Sequence, residues 1–290
     1  MLATLKEVLE KAEQGNYAVG AFNCTSLESG MAIVETAEEL NSPVILQYAD
    51  SHRHLISIDV IGPIMLQLAK IAKVPVVVHL DHGASIESCR HAVDMGFTSV
   101  MYDASAKPFE DNVAETRSVV EYAHERGASV EAELGHILTS KAGAAEGNGK
   151  SYTREEAYTD PEMAKEIIER TNVDALAIGF GTAHGIYTEK PVLDLNRIAL
   201  IKSAKDIPYV MHGGSGLSEE EYRTAIHNGI RKINYYTYLS LAGGRGVMQY
   251  LEDKKDKDAI YFEDIAKAGI TAMKADVKRA MKIFESDGKI

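Results

Sequence analysis

The chain has 290 residues, of which 45% are hydrophobic and 26% are charged. A chain of this length and apolar content can bury a large core, and a barrel of this size would form one domain rather than two. The formal net charge of −12 argues against a surface that holds nucleic acid or an anionic membrane by bulk electrostatics. We therefore expect one domain spanning residues 1–290 that binds any anionic small molecule locally.

The N-terminal segment and the cysteines both indicate a cytoplasmic protein. Residues 1–16 read as an amphipathic helix with charges throughout, unlike the basic and then apolar regions of an export signal. No stretch approaches the roughly 20 apolar residues that a membrane-spanning helix needs. Cys24 and Cys89 are the only cysteines, too few for a disulfide framework, and we expect both to be reduced.

Short apolar runs alternate along the chain with longer segments of helical period. Most helical segments open on Ser or Asp and several close on Gly, which are the residues that cap helices. Continuous apolar strands without strict alternation are typical of a parallel sheet that is covered on both faces. In chain order the eight predicted strands are 18–23, 43–48, 74–80, 99–105, 129–135, 175–181, 207–213 and 231–237.

Eight successive strand–helix units predict an α/β fold, the (β/α)8 or TIM barrel. A doubly wound open sheet is the structural alternative, but it needs no eighth strand and would not place polar residues at so many strand ends. Residues 262–284 form a further predicted helix, which either packs against a second subunit or closes the barrel. We therefore predict a barrel with a helical extension at its C-terminus.

Polar residues cluster where the predicted strands end. Because the catalytic groups of such barrels lie at the carboxyl ends of the strands, we expect these side chains to meet at one mouth. Three of them are histidines, and three neutral imidazoles form a zinc-type catalytic site with one coordination position left open. The histidines are His82, His184 and His212, and the other polar residues are Asn23, Asp81, Asp103, Glu133, Asn234 and Thr237.

Two of these strand ends also carry glycine turns. Backbone amides without a Cβ in the way can bind anions, and barrels often build a phosphate site after strands seven and eight. Such a turn can also be only a tight bend, but its position directly after a histidine favours phosphate binding. The residues concerned are Gly185 after His184, and Gly213, Gly214 and Ser215 after His212.

Five motifs match, in order and spacing, those of one enzyme family. The chain resembles the class II metal-dependent aldolases that act on fructose or tagatose 1,6-bisphosphate, over residues 21–289. The resemblance implies a lyase that reversibly cleaves a ketose bisphosphate to dihydroxyacetone phosphate and an aldehyde such as glyceraldehyde 3-phosphate. The motifs are HLDHG (79–83), VEAELG (130–135), GTAHGIY (181–187), HGGSG (212–216) and KINYYT (232–237).

The resemblance implies roles for the residues that match. His82, His184 and His212 match the family's zinc ligands. Zinc would polarise the ketose carbonyl and neutralise the enediolate that forms when the C3–C4 bond breaks. Asp81 matches the acid/base residue, which takes a proton from the C4 hydroxyl in cleavage and returns it in condensation.

Further matching positions are expected around the metal and the substrate. Asp103 and Glu133 match positions that can hold a second metal or an alternative position of the zinc, with hydrogen-bonded carboxylates at the barrel rim as the other interpretation. The family's phosphate-binding loops also hold a monovalent cation, and its members form dimers or tetramers. The predicted substrate-binding residues are Asn23, Gly185, Gly213, Gly214, Ser215, Asn234, Tyr235, Tyr236 and Thr237.

The chain departs from the family pattern at three places that bear on the substrate. The loop after the fifth strand is lengthened, and within it Glu146 is the candidate for moving the C3 proton, with a glutamate in a solvated loop as the alternative. Tyr235 and Tyr236 stand where small or aliphatic residues are common, and Ala49 stands where many members have serine. Tagatose 1,6-bisphosphate or another phosphorylated ketose therefore stays an alternative to fructose 1,6-bisphosphate.

Other residues near these motifs have more modest expected roles. His79 lies two residues before Asp81 and is expected to be a buried, hydrogen-bonded histidine deeper in the barrel. Ser51, His52 and Arg53 follow the second strand, face the same mouth and could receive the second phosphate or the aldehyde half of the substrate.

Two other classes of protein remain as alternatives. A zinc barrel that hydrolyses or isomerises a sugar phosphate would use the same three histidines, but usually with a bridging carboxylate or lysine between them. A non-catalytic companion subunit with the aldolase fold would be expected to have lost ligands, whereas this chain keeps all three histidines and Asp81.

Overall fold

Eight parallel strands close into a barrel in the computed structural model, which describes residues 1–139, 153–187, 189–254 and 259–290. The strands in chain order, of which β6 and β8 lie outside the barrel, are β1 (Val19–Asn23), β2 (Val44–Ala49), β3 (Val76–Gly83), β4 (Ser99–Tyr102), β5 (Ser129–Leu134), β6 (Leu138–Thr139), β7 (Ala175–Ile178), β8 (Ala183–His184), β9 (Tyr209–Met211) and β10 (Ile230–Tyr235). Consecutive barrel strands pair with one another and β10 closes on β1, while β6 and β8 form a separate parallel ribbon. The predicted TIM barrel is confirmed.

Helices connect the strands on the outside of the barrel. Many begin after a Ser or Asp side chain that accepts a hydrogen bond from the first turn, as Ser85 does from the amide of Ser88. The helices are α1 (Leu5–Gly15), α2 (Leu27–Glu39), a 3-10 helix (Asp50–His54), α3 (Ile58–Ile71), α4 (Ile86–Met95), α5 (Phe109–His124), α6 (Arg154–Ala157), α7 (Pro161–Thr171), α8 (Leu195–Ala204), α9 (Glu219–Asn228), α10 (Thr237–Asp253) and α11 (Phe262–Ile283).

The N-terminal helix α1 closes the amino end of the barrel. Its buried face, with Leu5 and Leu9, packs in one cluster with inward-pointing strand residues such as Val77 and Val210. This is the apolar face that the amphipathic pattern predicted. The barrel is therefore plugged at one end, and the opposite end is left for a site.

The C-terminal helix α11 packs against α2 and α10 within the same chain. Its buried residues include Val277 and Met281, and Phe284 directly after it is also fully buried in the core. The helix predicted over residues 262–284 is confirmed, and it covers the outside of the barrel. Among the residues that the structure describes, no helix is both long and apolar enough to cross a membrane.

Candidate active site at the carboxyl end of the barrel

The carboxyl ends of the barrel strands surround a cleft of about 660 Å³. Ser51, His52 and Arg53 line this cleft, as expected from their position after β2. The ring of His52 packs against Tyr236 with 4.6 Å between the ring centroids. The predicted site residues that line the cleft are Asn23, Asp81, His82, Asp103, His184, Gly185, Gly213, Ser215, Asn234, Tyr235, Tyr236 and Thr237.

The three histidines come together at the floor of the cleft. One nitrogen of each ring of His82, His184 and His212 lies within 4.8 Å of the others. Nδ1 of His212 is 2.9 Å from Nε2 of His82. Two nitrogen ligands of a tetrahedral zinc ion, each about 2.0–2.1 Å from the metal, lie about 3.3 Å apart. His82 and His212 would therefore need to separate by only a few tenths of an ångström to hold such an ion.

In His82 and His212, the inner nitrogen faces the other ring, and the outer nitrogen on the opposite side of the ring faces a carboxylate. Nδ1 of His82 lies 2.8 Å from Oδ2 of Asp103, and Nε2 of His212 lies 2.9 Å from Oε1 of Glu131. Because an ionised carboxylate only accepts hydrogen bonds, each outer nitrogen carries a proton, which leaves the two inner nitrogens to share one proton or one metal ion. The two inner nitrogens face each other and so favour a cation between them, an arrangement typical of metal-binding histidines.

The surrounding charges also favour a cation beside His82. Burial disfavours the charged form of this ring, but the nearby carboxylates Asp81, Asp103 and Glu133 outweigh burial and raise its pKa well above the ordinary value. Burial, and then the charge of His82, lower the pKa of His212 well below the ordinary value. The cluster thus favours a single positive charge shared by the two rings, which a divalent metal would replace.

Asp103 and Glu133 lie beside the histidines, as the sequence predicted. One oxygen of each lies within 4.8 Å of a nitrogen of His82, and Oε2 of Glu133 is 3.6 Å from Nδ1 of His212. Burial, together with the charge of Asp103, raises the pKa of Glu133 well above its ordinary value. Asp103 is thus hydrogen-bonded to His82, Glu133 faces the inner nitrogen of His212, and a second metal position at these two carboxylates stays a prediction.

A local distortion of β3 brings Asp81 and His82 to the same mouth. Neighbouring residues in a regular strand point to opposite faces. Here the pairing of β3 with β4 shifts between Leu80 and Gly83, and His82 has a left-handed φ of 46°. An extra residue of this kind is a β-bulge, which re-aims side chains next to active sites. The bulge explains how both residues of one dipeptide serve one site.

Asp81 is held by two amide groups. Its side chain is only 4% exposed. Oδ1 accepts a hydrogen bond from Nδ2 of Asn234 at 2.9 Å, and Oδ2 accepts one from Nε2 of Gln47 at 3.2 Å. Gln47 also donates to Oδ1 of Asn23 at 2.9 Å. Sequence reasoning missed Gln47, although a lone amide in the apolar run of β2 was a visible signal.

Beneath the histidines lies the buried His79. Its Nδ1 is 2.8 Å from Oγ of Ser99, and the side chain is fully buried. Burial, followed by the charge of Lys232, lowers its pKa well below the ordinary value, so the ring is neutral. The predicted buried, hydrogen-bonded histidine is confirmed.

The glycine turn after His212 is packed tightly against the loop that carries His184. Gly213 has a left-handed φ of 65°, and a Cβ at this position would lie 2.5 Å from the carbonyl oxygen of Ala183. The hydroxyl of Tyr187 bridges the two segments, since it donates to the carbonyl of Gly213 at 2.8 Å and accepts from the amide of Ala183 at 2.9 Å. Only glycine permits this close approach of the two histidine loops.

Two predicted substrate-binding residues are placed differently. Tyr235 is 2% exposed, its hydroxyl accepts a hydrogen bond from Arg279 at 2.8 Å, and its ring packs against Phe284. It borders the cleft, but its side chain points to the helices because Asn234 before it points into the barrel. Gly214 does not line the cleft, and its carbonyl accepts a hydrogen bond from the hydroxyl of Tyr222. The Tyr235 side chain and the Gly214 carbonyl thus have partners within the protein, and substrate binding by these two residues stays a prediction.

One predicted catalytic residue cannot be placed. Glu146, the candidate for moving the C3 proton, lies outside the described residues. Its role therefore stays a prediction.

Comparisons with known proteins identify the family of this chain. The family model described as "Fructose-bisphosphate aldolase class-II" matches residues 3–289. A fructose-bisphosphate aldolase of Geobacillus stearothermophilus is 41% identical over 291 residues, covering 99% of this chain and 98% of the relative. One from Staphylococcus aureus is 40% identical over 261 residues, covering 88% of each. The solved structure of the YdjI aldolase from Escherichia coli K12 superposes with a TM-score of 0.85 at 34% identity, covering 100% of this chain and 99% of that chain. The chain belongs to the class II fructose-bisphosphate aldolases, a family of lyases that generally depend on a metal ion.

Proposed function

We propose that this chain is a zinc-dependent aldolase that reversibly cleaves fructose 1,6-bisphosphate, or a closely related phosphorylated ketose, to dihydroxyacetone phosphate and an aldehyde such as glyceraldehyde 3-phosphate. The observation that carries the proposal is the cluster of three histidines, two of which, His82 and His184, line the same cleft as Asp81. Tagatose 1,6-bisphosphate is the alternative substrate, because Ala49, Tyr236 and the loop that contains Glu146 depart from the common family pattern.

His82, His184 and His212 would hold the zinc ion. The two inner nitrogens of His82 and His212, each with its outer N–H facing a carboxylate, fit a divalent metal that takes nitrogen ligands. A bound zinc ion supplies a Lewis acid that polarises the substrate carbonyl and stabilises the negative charge that develops on its oxygen. Glu133 lies close enough to His212 to be an additional or alternative ligand.

Asp81 would move the proton of the substrate hydroxyl. In cleavage its carboxylate accepts the proton from the C4 hydroxyl, and in condensation it returns the proton to the aldehyde oxygen. Hydrogen bonds from Asn234 and Gln47 hold the carboxylate in one orientation. A fixed base of this kind needs little reorganisation at the moment of transfer.

The dihydroxyacetone phosphate half would bind along the glycine loops. Gly185, Gly213 and Ser215 line the cleft beside the histidines, and a left-handed glycine such as Gly213 can turn backbone N–H groups toward an anion. We place a monovalent cation at the same loops. Further contacts to the substrate would come from Asn23, Asn234, Tyr236 and Thr237, all of which line the cleft.

The aldehyde half would lie toward the rings of His52 and Tyr236, which pack against each other at a tilt. Arg53 borders this part of the cleft, but its guanidinium lies 2.8 Å from Oδ1 of Asp50. A second phosphate would therefore meet an arginine whose charge is already partly neutralised. This is the part of the site that distinguishes one phosphorylated ketose from another in our proposal.

The remaining proposals concern the loop, the assembly and the compartment. We assign proton transfer at C3 to Glu146, and the Glu146→Ala variant should slow exchange of that proton more than it weakens binding. We also propose a single catalytic domain, a homodimer or homotetramer, and a cytoplasmic location. Two free, buried cysteines support a reducing compartment.

Side-by-side turnover assays test the proposed function. Fructose 1,6-bisphosphate, tagatose 1,6-bisphosphate and other ketose phosphates are offered to the zinc-loaded protein, and triose phosphate release is measured before and after a chelator. We expect cleavage that a chelator abolishes and added zinc restores. Cleavage that survives complete removal of metal, or a pure protein without any metal, would refute the proposal.

A further inference from the structure

A buried ion pair lies beneath the cleft, inside the barrel. Lys232 of β10 and Glu131 of β5 are both fully buried, and Nζ of the lysine is 2.8 Å from Oε2 of the glutamate. Neither residue lines the cleft. Both charges have lost their water, which is costly, and few lysines are buried this completely. A pair at this position directly under the site therefore needs a reason beyond packing.

One side of the pair fixes the metal ligand His212. The two carboxylate oxygens of Glu131 have different partners. Oε2 faces the ammonium of Lys232, and Oε1 lies 2.9 Å from Nε2 of His212. Because lysine has three donors and no acceptor, it occupies Oε2 and leaves Oε1 to accept the ring N–H. The inner nitrogen of His212 is then the one that presents a lone pair to a metal.

The other side of the pair fixes the amide that holds Asp81. Nζ of Lys232 donates to Oδ1 of Asn234 at 2.7 Å, and Nδ2 of Asn234 donates to Oδ1 of Asp81 at 2.9 Å. Since an ammonium group only donates, the carbonyl of the amide must face Lys232 and its NH2 group must face Asp81. The reverse orientation would set a carbonyl against a carboxylate and an NH2 group against an ammonium.

We propose that Lys232 and Glu131 are positioning residues that set the metal ligand and the base of the site together. Lys232 acts on His212 through Glu131 and on Asp81 through Asn234. The inference rests on the proposed roles of His212 and Asp81. Neither positioning residue touches the substrate, and both act by deciding which atom of a neighbour donates and which accepts.

The experiment compares Lys232→Met and Glu131→Gln with a matched control on the same strand. Arg231, the residue before Lys232, is 3% exposed and its Nε lies 3.1 Å from Oε2 of Glu13, away from the cleft. Arg231→Met therefore removes a buried charge from its ion pair with the partly exposed Glu13, without touching the site. The double variant Lys232→Met/Glu131→Gln removes both charges, so it leaves no unpaired ion if Lys232→Met alone fails to fold.

Three readouts are taken on each full-length protein: zinc affinity by chelator competition, the visible absorption of the cobalt-substituted protein, and kcat and KM for ketose bisphosphate cleavage. We expect Glu131→Gln to weaken zinc binding about 10–100-fold, as loss of a carboxylate behind a metal-binding histidine does. Lys232→Met and the double variant should change the cobalt spectrum. With metal saturating, they should lower kcat about 10–100-fold and shift KM less than about threefold. Arg231→Met should keep the wild-type cobalt spectrum, and its zinc affinity, kcat and KM should stay within about twofold of wild type.

Two outcomes would overturn the inference. One is a Lys232→Met or double variant that keeps both the wild-type kcat and the wild-type cobalt spectrum. The other is an Arg231→Met protein that loses as much as Lys232→Met, because general destabilisation would then explain both. A wild-type protein that binds zinc but cleaves no ketose phosphate rejects the proposed function instead, and zinc affinities and cobalt spectra still decide whether the pair positions His212.

Discussion

The interior of the barrel has two halves of opposite character. The lower half, next to α1, is filled by apolar side chains, including Val19, Ile45 and Val77. The upper half, under the cleft, is filled by polar and charged side chains that are just as completely buried: Gln47, His79, Glu131 and Lys232. Both halves exclude water, so burial alone does not distinguish them. The difference is that polar contacts depend on direction, whereas apolar contacts do not.

An apolar contact accepts any neighbour of about the right volume, whereas a buried donor or acceptor needs its partner in one direction. The lower half can therefore supply stability without fixing the orientation of any group. The upper half fixes orientations, because a change to Lys232 reaches both His212 and Asp81 through hydrogen bonds and an ion pair. Substitutions in the two halves should consequently separate stability from chemistry.

The largest effect on chemistry is expected for Asp81→Ala in the upper half. This variant removes the group that carries the proton, so kcat should fall about 10²–10⁴-fold. Zinc should be retained, because Asp81 is not among the nitrogen ligands. Metal stoichiometry by atomic absorption and kcat with saturating substrate check the two parts separately. Retained turnover would remove Asp81 from the acid/base role, and lost zinc would make it part of the metal site.

His212→Ala should lower zinc content and activity together. The ring is fully buried and touches both His82 and Glu131, so its loss removes a ligand and leaves Glu131 without the N–H that it accepts. Zinc affinity should fall by more than the roughly 10–100-fold typical of changes behind a ligand. Chelator competition and turnover measured across a zinc titration provide the check. An inactive variant with a full complement of tightly bound zinc contradicts the ligand role.

Leu9→Ala tests the lower half. Leu9 is fully buried in the cluster under the barrel, and its truncation should lower the free energy of unfolding by about 2–5 kcal/mol. The kcat of the folded protein and its zinc affinity should stay unchanged. Leu9→Met is the matched control, since it keeps the volume and should lose less than about 1.5 kcal/mol. A drop in kcat without unfolding would show that the two halves are coupled after all.

The same distinction explains how much the sequence predicted. The eight strands and the cleft residues were predictable, because apolar runs that end in polar residues and glycine place those residues at one end of a barrel. Glu131 and Lys232 lie inside two of the matching motifs, yet nothing in the sequence says that these two strands bring them within 2.8 Å across the interior. The bulge at His82 was also not predictable, since its left-handed residue is a histidine and not a glycine.

Tyr235 shows a further limit. The sequence predicts the same role for Tyr235 and Tyr236, but strand alternation sends the first ring to Phe22 and Phe284 and leaves the second at the cleft. The alternation itself follows from the sequence once Asn234 is placed at the cleft. What the sequence could not supply was the residue at which β10 ends and the alternation stops.

The smallest effect concerns the layer between strands and helices, where Cys24 and Cys89 are fully buried. Burial raises the pKa of the Cys24 thiol to about 12 and raises that of Cys89 as well. Because the folded pKa exceeds the unfolded one, the protonated thiol stabilises the fold below the unfolded pKa of about 8.5, and this contribution is lost as pH rises toward 12. Near pH 8 the native protein should react with a thiol-specific disulfide reagent far more slowly than the unfolded chain.

Single Cys24→Ser and Cys89→Ser variants assign the reaction to one thiol or the other. Rapid modification of either thiol in the native protein at pH 8 would show that this layer opens more readily than its burial implies. The thiols would then report on opening next to the cleft, because Cys24 directly follows Asn23 at the carboxyl end of β1. Slow modification that matches the rate of global unfolding would place this layer with the lower half of the barrel, where burial without directional contacts is enough for stability.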